Sequence, residues 1–136
     1  MSLGKAIVHF EIPANDPEKL RKFYSDCFGW EFQNARMPGF EYWLFTTGRN
    51  GLGGGMYKKQ DAGEHPRNYV QVESVDAAIE LFQQAGGAII VPKQEVPGHG
   101  FTAVGVDPEG NQLGLFETVR KPRKRFRKAV RKSKRR

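Results

Sequence analysis

His9 and Glu11 stand two positions apart in Ala6-Ile7-Val8-His9-Phe10-Glu11-Ile12, a segment whose polarity alternates. At a period of two, both side chains leave the same face of a strand, so an imidazole and a carboxylate are held side by side. The pair suits ligation of a divalent ion, or proton transfer at a bound molecule. A Lewis-acidic ion needs three or four protein ligands, so the pair cannot hold one alone. His99, just ahead of a strand-like run at Phe101 to Val106, is the candidate third ligand beside His9 and Glu11, although nothing in the spacing fixes its geometry. The competing reading of His9 is a histidine hydrogen-bonded within the fold.

Strand parity adds Arg67, Tyr69 and Gln71 from one segment and Gln112, Gly114 and Phe116 from another to the side occupied by Ile7, His9 and Glu11. Trp43 and Phe45 are expected to join them. Aromatic rings mixed with a few hydrogen-bonding groups are the usual lining of a small-molecule pocket, and ordinary core filling is the alternative. Arg67 there favours an anionic ligand over a metal, and Gly114 is expected to widen the space.

The elements that must position these residues are readable from periodicity. Asn15-Asp16-Pro17-Glu18 supplies an N-cap candidate, a proline for the first helical turn and an acid near the helix start; Leu20, Phe23, Tyr24 and Cys27 recur at the spacing of one buried stripe, and Gly29 supplies a left-handed stop. Strands are expected at Trp30 to Phe32, Glu41 to Thr47 and Gly53 to Lys58. The same order then repeats: a strand at Asn68 to Glu73, a helical stripe of Val75, Ala78, Ile79 and Phe82 closed by Gly86-Gly87, and strands at Ala88 to Val91, Phe101 to Val106 and Gln112 to Glu117. Phe23 and Phe82 are 59 positions apart and Gly29 and Gly87 are 58 apart, which points to an internal duplication. Asp107-Pro108-Glu109-Gly110-Asn111 reads as a hairpin turn. Gly51 to Gly55 lacks the strand-to-helix context of a nucleotide loop and reads as a flexible lead into its strand.

Ile7-Val8-His9-Phe10, Phe23-Tyr24, Phe28-Gly29-Trp30, Val72-Glu73-Ser74-Val75-Asp76, Gly86-Gly87 and Asp107 to Asn111 together resemble the vicinal-oxygen-chelate superfamily of glyoxalases, bleomycin-resistance proteins and dioxygenases. The resemblance spans about residues 5–118. It implies an α+β fold of two tandem βαβββ modules, about 5–60 and 66–118, whose mixed sheets curl into a cup within a domain at 1–118. It also implies four metal-ligand positions, of which His9 matches the first. Arg67 stands at the second module's first-strand position and Gly114 at the final-strand position, and Gly53 to Tyr57 holds no acid or histidine.

Charge is divided unevenly. Twelve of the 22 Lys and Arg residues fall within 120–136, leaving ten against 15 acids in the remainder, so only the tail is basic. The tail at 119–136 is expected to be disordered or a short helix, with Arg123, Lys124, Arg125, Arg127, Lys128 and Arg131 as polyanion contacts and non-specific nucleic acid as a partner. No apolar run approaches the ~20 residues that cross a bilayer, and the opening residues do not read as a secretory signal. A single cysteine, Cys27, excludes an internal disulfide and is expected in the core. The sequence expectation is thus a cytoplasmic, homodimeric protein that binds a small anionic or aromatic molecule with no cofactor. A divalent metal serving a lyase or extradiol-type dioxygenase is the second expectation, and a nucleic-acid-associated protein the third.

Overall fold

The computed structural model describes residues 5–119, and the tail contacts expected beyond them lie outside the described residues. The chain runs β1 (Ile7–Ala14), α1 (Pro17–Phe28), β2 (Glu31–Asn34), β3 (Tyr42–Thr46), β4 (Gly54–Lys58), β5 (Arg67–Gln71), α2 (Val75–Gln84), β6 (Ala88–Val96), β7 (Gly100–Val106) and β8 (Gln112–Thr118). The duplicated βαβββ order is therefore present, and the eight strands form one mixed, open sheet in the order β2-β3-β4-β1-β5-β8-β7-β6.

Local chemistry accounts for the element boundaries. The Asp16 carboxylate accepts from the Lys19 amide at 3.2 Å, Pro17 opens α1, and Gly29 closes it at φ 74°. Ser74 Oγ accepts from the Ala77 amide at 3.1 Å at the start of α2. There the Glu117 carboxylate of β8 also accepts from the Val75 amide at 2.9 Å. In the β7–β8 turn, Asp107 Oδ1 accepts from the amides of Glu109 and Asn111, both at 2.9 Å, and Gly110 takes φ 89°. β6 runs five residues beyond its expected end. It is an edge strand with register shifts around Val91, which lets it carry Pro92.

Both helices cover the same face of the sheet. Ile12, Ala14, Phe45 and Met56 form one buried cluster, with Leu20 and Tyr24 of α1 against it. Val72, Val75, Ala103 and Leu115 form the other, with Ala78 and Ile79 of α2. The α1 stripe is narrower than its periodicity suggests: Phe23 is 53% exposed and Cys27 is exposed, so the expected core cysteine is corrected. Phe23 instead packs edge-on against Tyr24 at the rim, with 5.2 Å between centroids. Because Phe10, Ile12, Val70, Val72 and Leu115 point towards the helices, the alternate residues of the central strands point to the opposite, cup face.

Candidate functional site

Two strands from different modules meet at the centre of the cup. β1 and β5 pair antiparallel, with His9 opposite Tyr69 and Glu11 opposite Arg67. On the outer sides, β4 places Gly55 beside Glu11, and β8 places Gly114 beside Tyr69. Glycine is required at both flanking positions, because a Cβ at Gly55 would fall on the Tyr42 phenol and a Cβ at Gly114 on the ring of Tyr69. The two tyrosines thus lie across the sheet and form the floor of the cup.

Their hydroxyls converge on one carboxylate. Glu11 Oε2 accepts from Tyr42 at 2.8 Å, while Oε1 accepts from Tyr69 at 2.9 Å and from the Arg67 guanidinium at 3.3 Å. A second guanidinium nitrogen of Arg67 donates to Gln112 Oε1 at 3.0 Å. Arg67 and Glu11 are 13% and 15% exposed, and the pair is stabilised because both partners are hydrogen-bonded as well as oppositely charged. Burial first, and then the Glu11 charge, raise both phenols above their ordinary value, so they remain donors at neutral pH.

His9 Nε2 sits 3.0 Å from the Tyr42 oxygen, and its ring meets Tyr69 edge-on at 5.9 Å. The single Tyr42 proton is directed to the carboxylate, so His9 must donate from Nε2–H, leaving its lone pair on Nδ1. Burial lowers the His9 pKa below 6.5, with Glu11 opposing, and this favours the neutral ring.

The expected cup residues divide as follows. His9, Glu11, Arg67, Tyr69 and Gln112 are joined in one network, and Gln71 and Phe116 continue the same face, with the Gln71 amide bonded to Thr118 Oγ1 at 2.9 Å. Trp43 and Phe45 require correction: Phe45 is 3% exposed within the helix-side cluster, and Trp43 packs against that cluster beneath the Arg21 guanidinium, 3.6 Å from its centroid. The β3 residue that reaches the cup is Tyr42. Gly114 does not widen the cup, since Tyr69 takes the space, and Gly54 and Gly55 are glycines because rings approach β4 from both sides. His99 is exposed in the β6–β7 turn, where its carbonyl accepts from the Val119 amide, and it does not join His9 and Glu11. Tyr57 of β4 and Phe40 were missed by the sequence reading. They stack with centroids 6.3 Å apart, and Phe40 also lies 5.8 Å from Tyr42. A groove of about 410 Å³ lies elsewhere, between Phe28 and Trp30 and the end of β3, and includes none of the cup residues.

The family model described as the Glyoxalase/Bleomycin resistance protein/Dioxygenase superfamily matches residues 6–115. The chain belongs to this superfamily. It is 37% identical over 95 residues to a glyoxylase-like domain-containing protein of Didymella fabae, covering 64% of this chain and 73% of that protein. A putative glyoxylase, CFP32, of Mycobacterium bovis is 25% identical over 116 residues, and the match spans 81% of this chain but only 44% of that longer protein. In structure, the chain is similar to methylmalonyl-CoA epimerase from Mycobacterium tuberculosis, with a TM-score of 0.68 at 13% identity over 88% of this chain and 94% of that one. A superfamily member from Vibrio splendidus gives 0.61 at 13% identity, over 83% and 98% of the two chains. At these identities the structural likeness speaks for the fold alone.

The glyoxalase superfamily usually employs a divalent metal, and the residues at this cup do not fit one. Among the described residues no three of His, Cys, Asp and Glu are gathered. Both Glu11 oxygens already accept from neutral or cationic donors, and His9 keeps one lone pair, at Nδ1, which is a single ligand where three or four are needed. Arg67, paired with Glu11, also offsets the carboxylate charge that would otherwise attract a cation.

Proposed function

We propose that this glyoxalase-superfamily chain binds a small aromatic molecule in its cup and does so without a metal ion. The observation that carries the reading is the tyrosine floor. Rings overlie Gly55 and Gly114, and the Tyr42 and Tyr69 hydroxyls are committed to Glu11, so the centre of the cup offers flat aromatic surface and an already hydrogen-bonded carboxylate in place of open coordination positions. Three of the roughly four lone-pair sites of the Glu11 carboxylate are already taken, by Tyr42, Tyr69 and Arg67, which weakens it as a general base and favours binding over turnover. Arg67 supports a change in the expected ligand. Its charge is already paired with Glu11, so a ligand anion would gain little there and a neutral molecule costs nothing in charge balance.

The test is thermal unfolding in the presence of chelator against a panel of small aromatic molecules. Saturable stabilisation by at least one member is expected, and a panel with no effect at any concentration would refute the reading.

A further inference from the structure

Two buried donors in the cup have no acceptor within the described part of the chain. They are the hydroxyl of Tyr57 and the Nε–H of Arg67. Tyr57 is 5% exposed, and the Arg67 side chain 13%. Neither atom belongs to the hydrogen-bonded network around Glu11, which uses only the two terminal nitrogens of the guanidinium.

Their placement follows from the sheet. Gly55, Glu11 and Arg67 lie in one row across β4, β1 and β5, and Tyr57 is the next residue of β4 on the same face. Burial raises the Tyr57 pKa and the nearby Arg67 charge opposes that rise, so the group is a protonated phenol at neutral pH. Arg67 Nε can only donate, whereas a phenol hydroxyl beside a donor can accept from it and still has its own proton to place. What the pair lacks is therefore an acceptor.

We propose that Arg67 Nε–H and Tyr57 O–H form a two-donor subsite for the carbonyl oxygen of an aromatic ketone, aldehyde or quinone. The proposal rests on the small-molecule reading above and specifies its ligand class. The acceptor is neutral because Glu11 already balances Arg67, and an added anion would leave one buried negative charge uncompensated. The aromatic part follows from Phe40. Its ring stacks on Tyr42 and Tyr57 at interplanar angles of 22° and 25°, yet remains 42% exposed. Phe40 lies on the β2–β3 connection, where Arg36 and Gly39 both take positive φ. A planar ligand that takes the place of this ring stacks on the same two tyrosines and brings its substituent beside the two donors.

The experiment compares matched probes on the full chain: acetophenone against ethylbenzene, and 1,4-naphthoquinone against naphthalene. Binding is followed by ligand-observed NMR, with acetophenone labelled at the carbonyl carbon. The carbonyl probes are expected to bind about tenfold tighter than their hydrocarbons, as one satisfied pair of buried donors allows. The labelled carbon is expected to move downfield on binding. Tyr57→Phe removes only an unbonded hydroxyl, so it should fold normally by circular dichroism while losing most of both effects. Equal binding of ketone and hydrocarbon, or a downfield shift that survives Tyr57→Phe, would overturn the subsite and leave cup binding intact. A water held equally by both variants would give that same result. Failure of all four probes, with some other panel molecule stabilising the protein, would overturn the ligand class alone. Failure of every molecule would remove the small-molecule reading itself.

Discussion

The ring of Tyr69 occupies the space that a Cβ at Gly114 would need. The two residues face each other across paired strands β5 and β8, and the consequence is chemical as well as steric. Gly114 stands where the family resemblance places a metal-binding carboxylate, and the ring above it carries a hydroxyl to Glu11 instead. Gly55 and Tyr42 repeat the arrangement in the first module.

Gly114→Ala is expected to destabilise the fold by about 1–3 kcal/mol, because the methyl group forces Tyr69 off its position. In a Tyr69→Ala background the same substitution should cost much less, so a double-mutant cycle read by urea unfolding should give a coupling of about 1 kcal/mol or more. Additive costs would mean that the ring and the glycine are independent.

Arg67→Met strips the Glu11 carboxylate of its cationic partner in a site only 15% exposed, and should cost about 3 kcal/mol. Arg67→Met with Glu11→Gln should be clearly less damaging than the two single costs combined, since no charge is then stranded. Chemical denaturation of the three variants decides this.

The pH dependence has a defined sign. Burial holds the His9 pKa below 6.5 in the folded protein, so the unfolded chain binds more protons as the pH falls from 6.5 towards the folded value. Stability supplied by neutral His9 is present above 6.5 and is lost as the pH falls through that window. His9→Gln should flatten the acid limb of a stability–pH curve. An unchanged limb would assign the acid sensitivity to other groups.

The Glu117 carboxylate receives the Val75 amide at the start of α2. Glu117→Ala should cost about 1 kcal/mol in thermal unfolding by removing this cap, and should leave ligand affinity in the cup unaltered.

The framework of the fold was legible because its signals are local. The Asp16-Pro17 and Gly29 boundaries, the alternation that put His9 beside Glu11, and the duplicated order of elements all appear as expected. The cup-facing side of β3 was not legible. In Tyr42-Trp43-Leu44-Phe45 both parities are apolar, so alternation carries no polarity, and the neighbouring strand decides the outcome. Gly54 and Gly55 were the available signal: glycines within a strand mark close approach by a ring, and here Phe45 presses from one side and Tyr42 from the other. The exposure of Phe23 and Cys27 was hidden for a different reason. Helical periodicity gives the direction of a stripe, whereas the width of sheet beneath it determines how much of that stripe is covered.

The central claim is that this cup works without a metal, and elemental analysis tests it most directly. Protein purified without chelator and then equilibrated with excess Zn²⁺, Ni²⁺, Mn²⁺ or Fe²⁺ should retain far less than one ion per chain after gel filtration, and His9→Ala should retain the same background. A stoichiometric ion that is lost in His9→Ala would contradict the account, and would mean that the tyrosine floor opens to admit a metal.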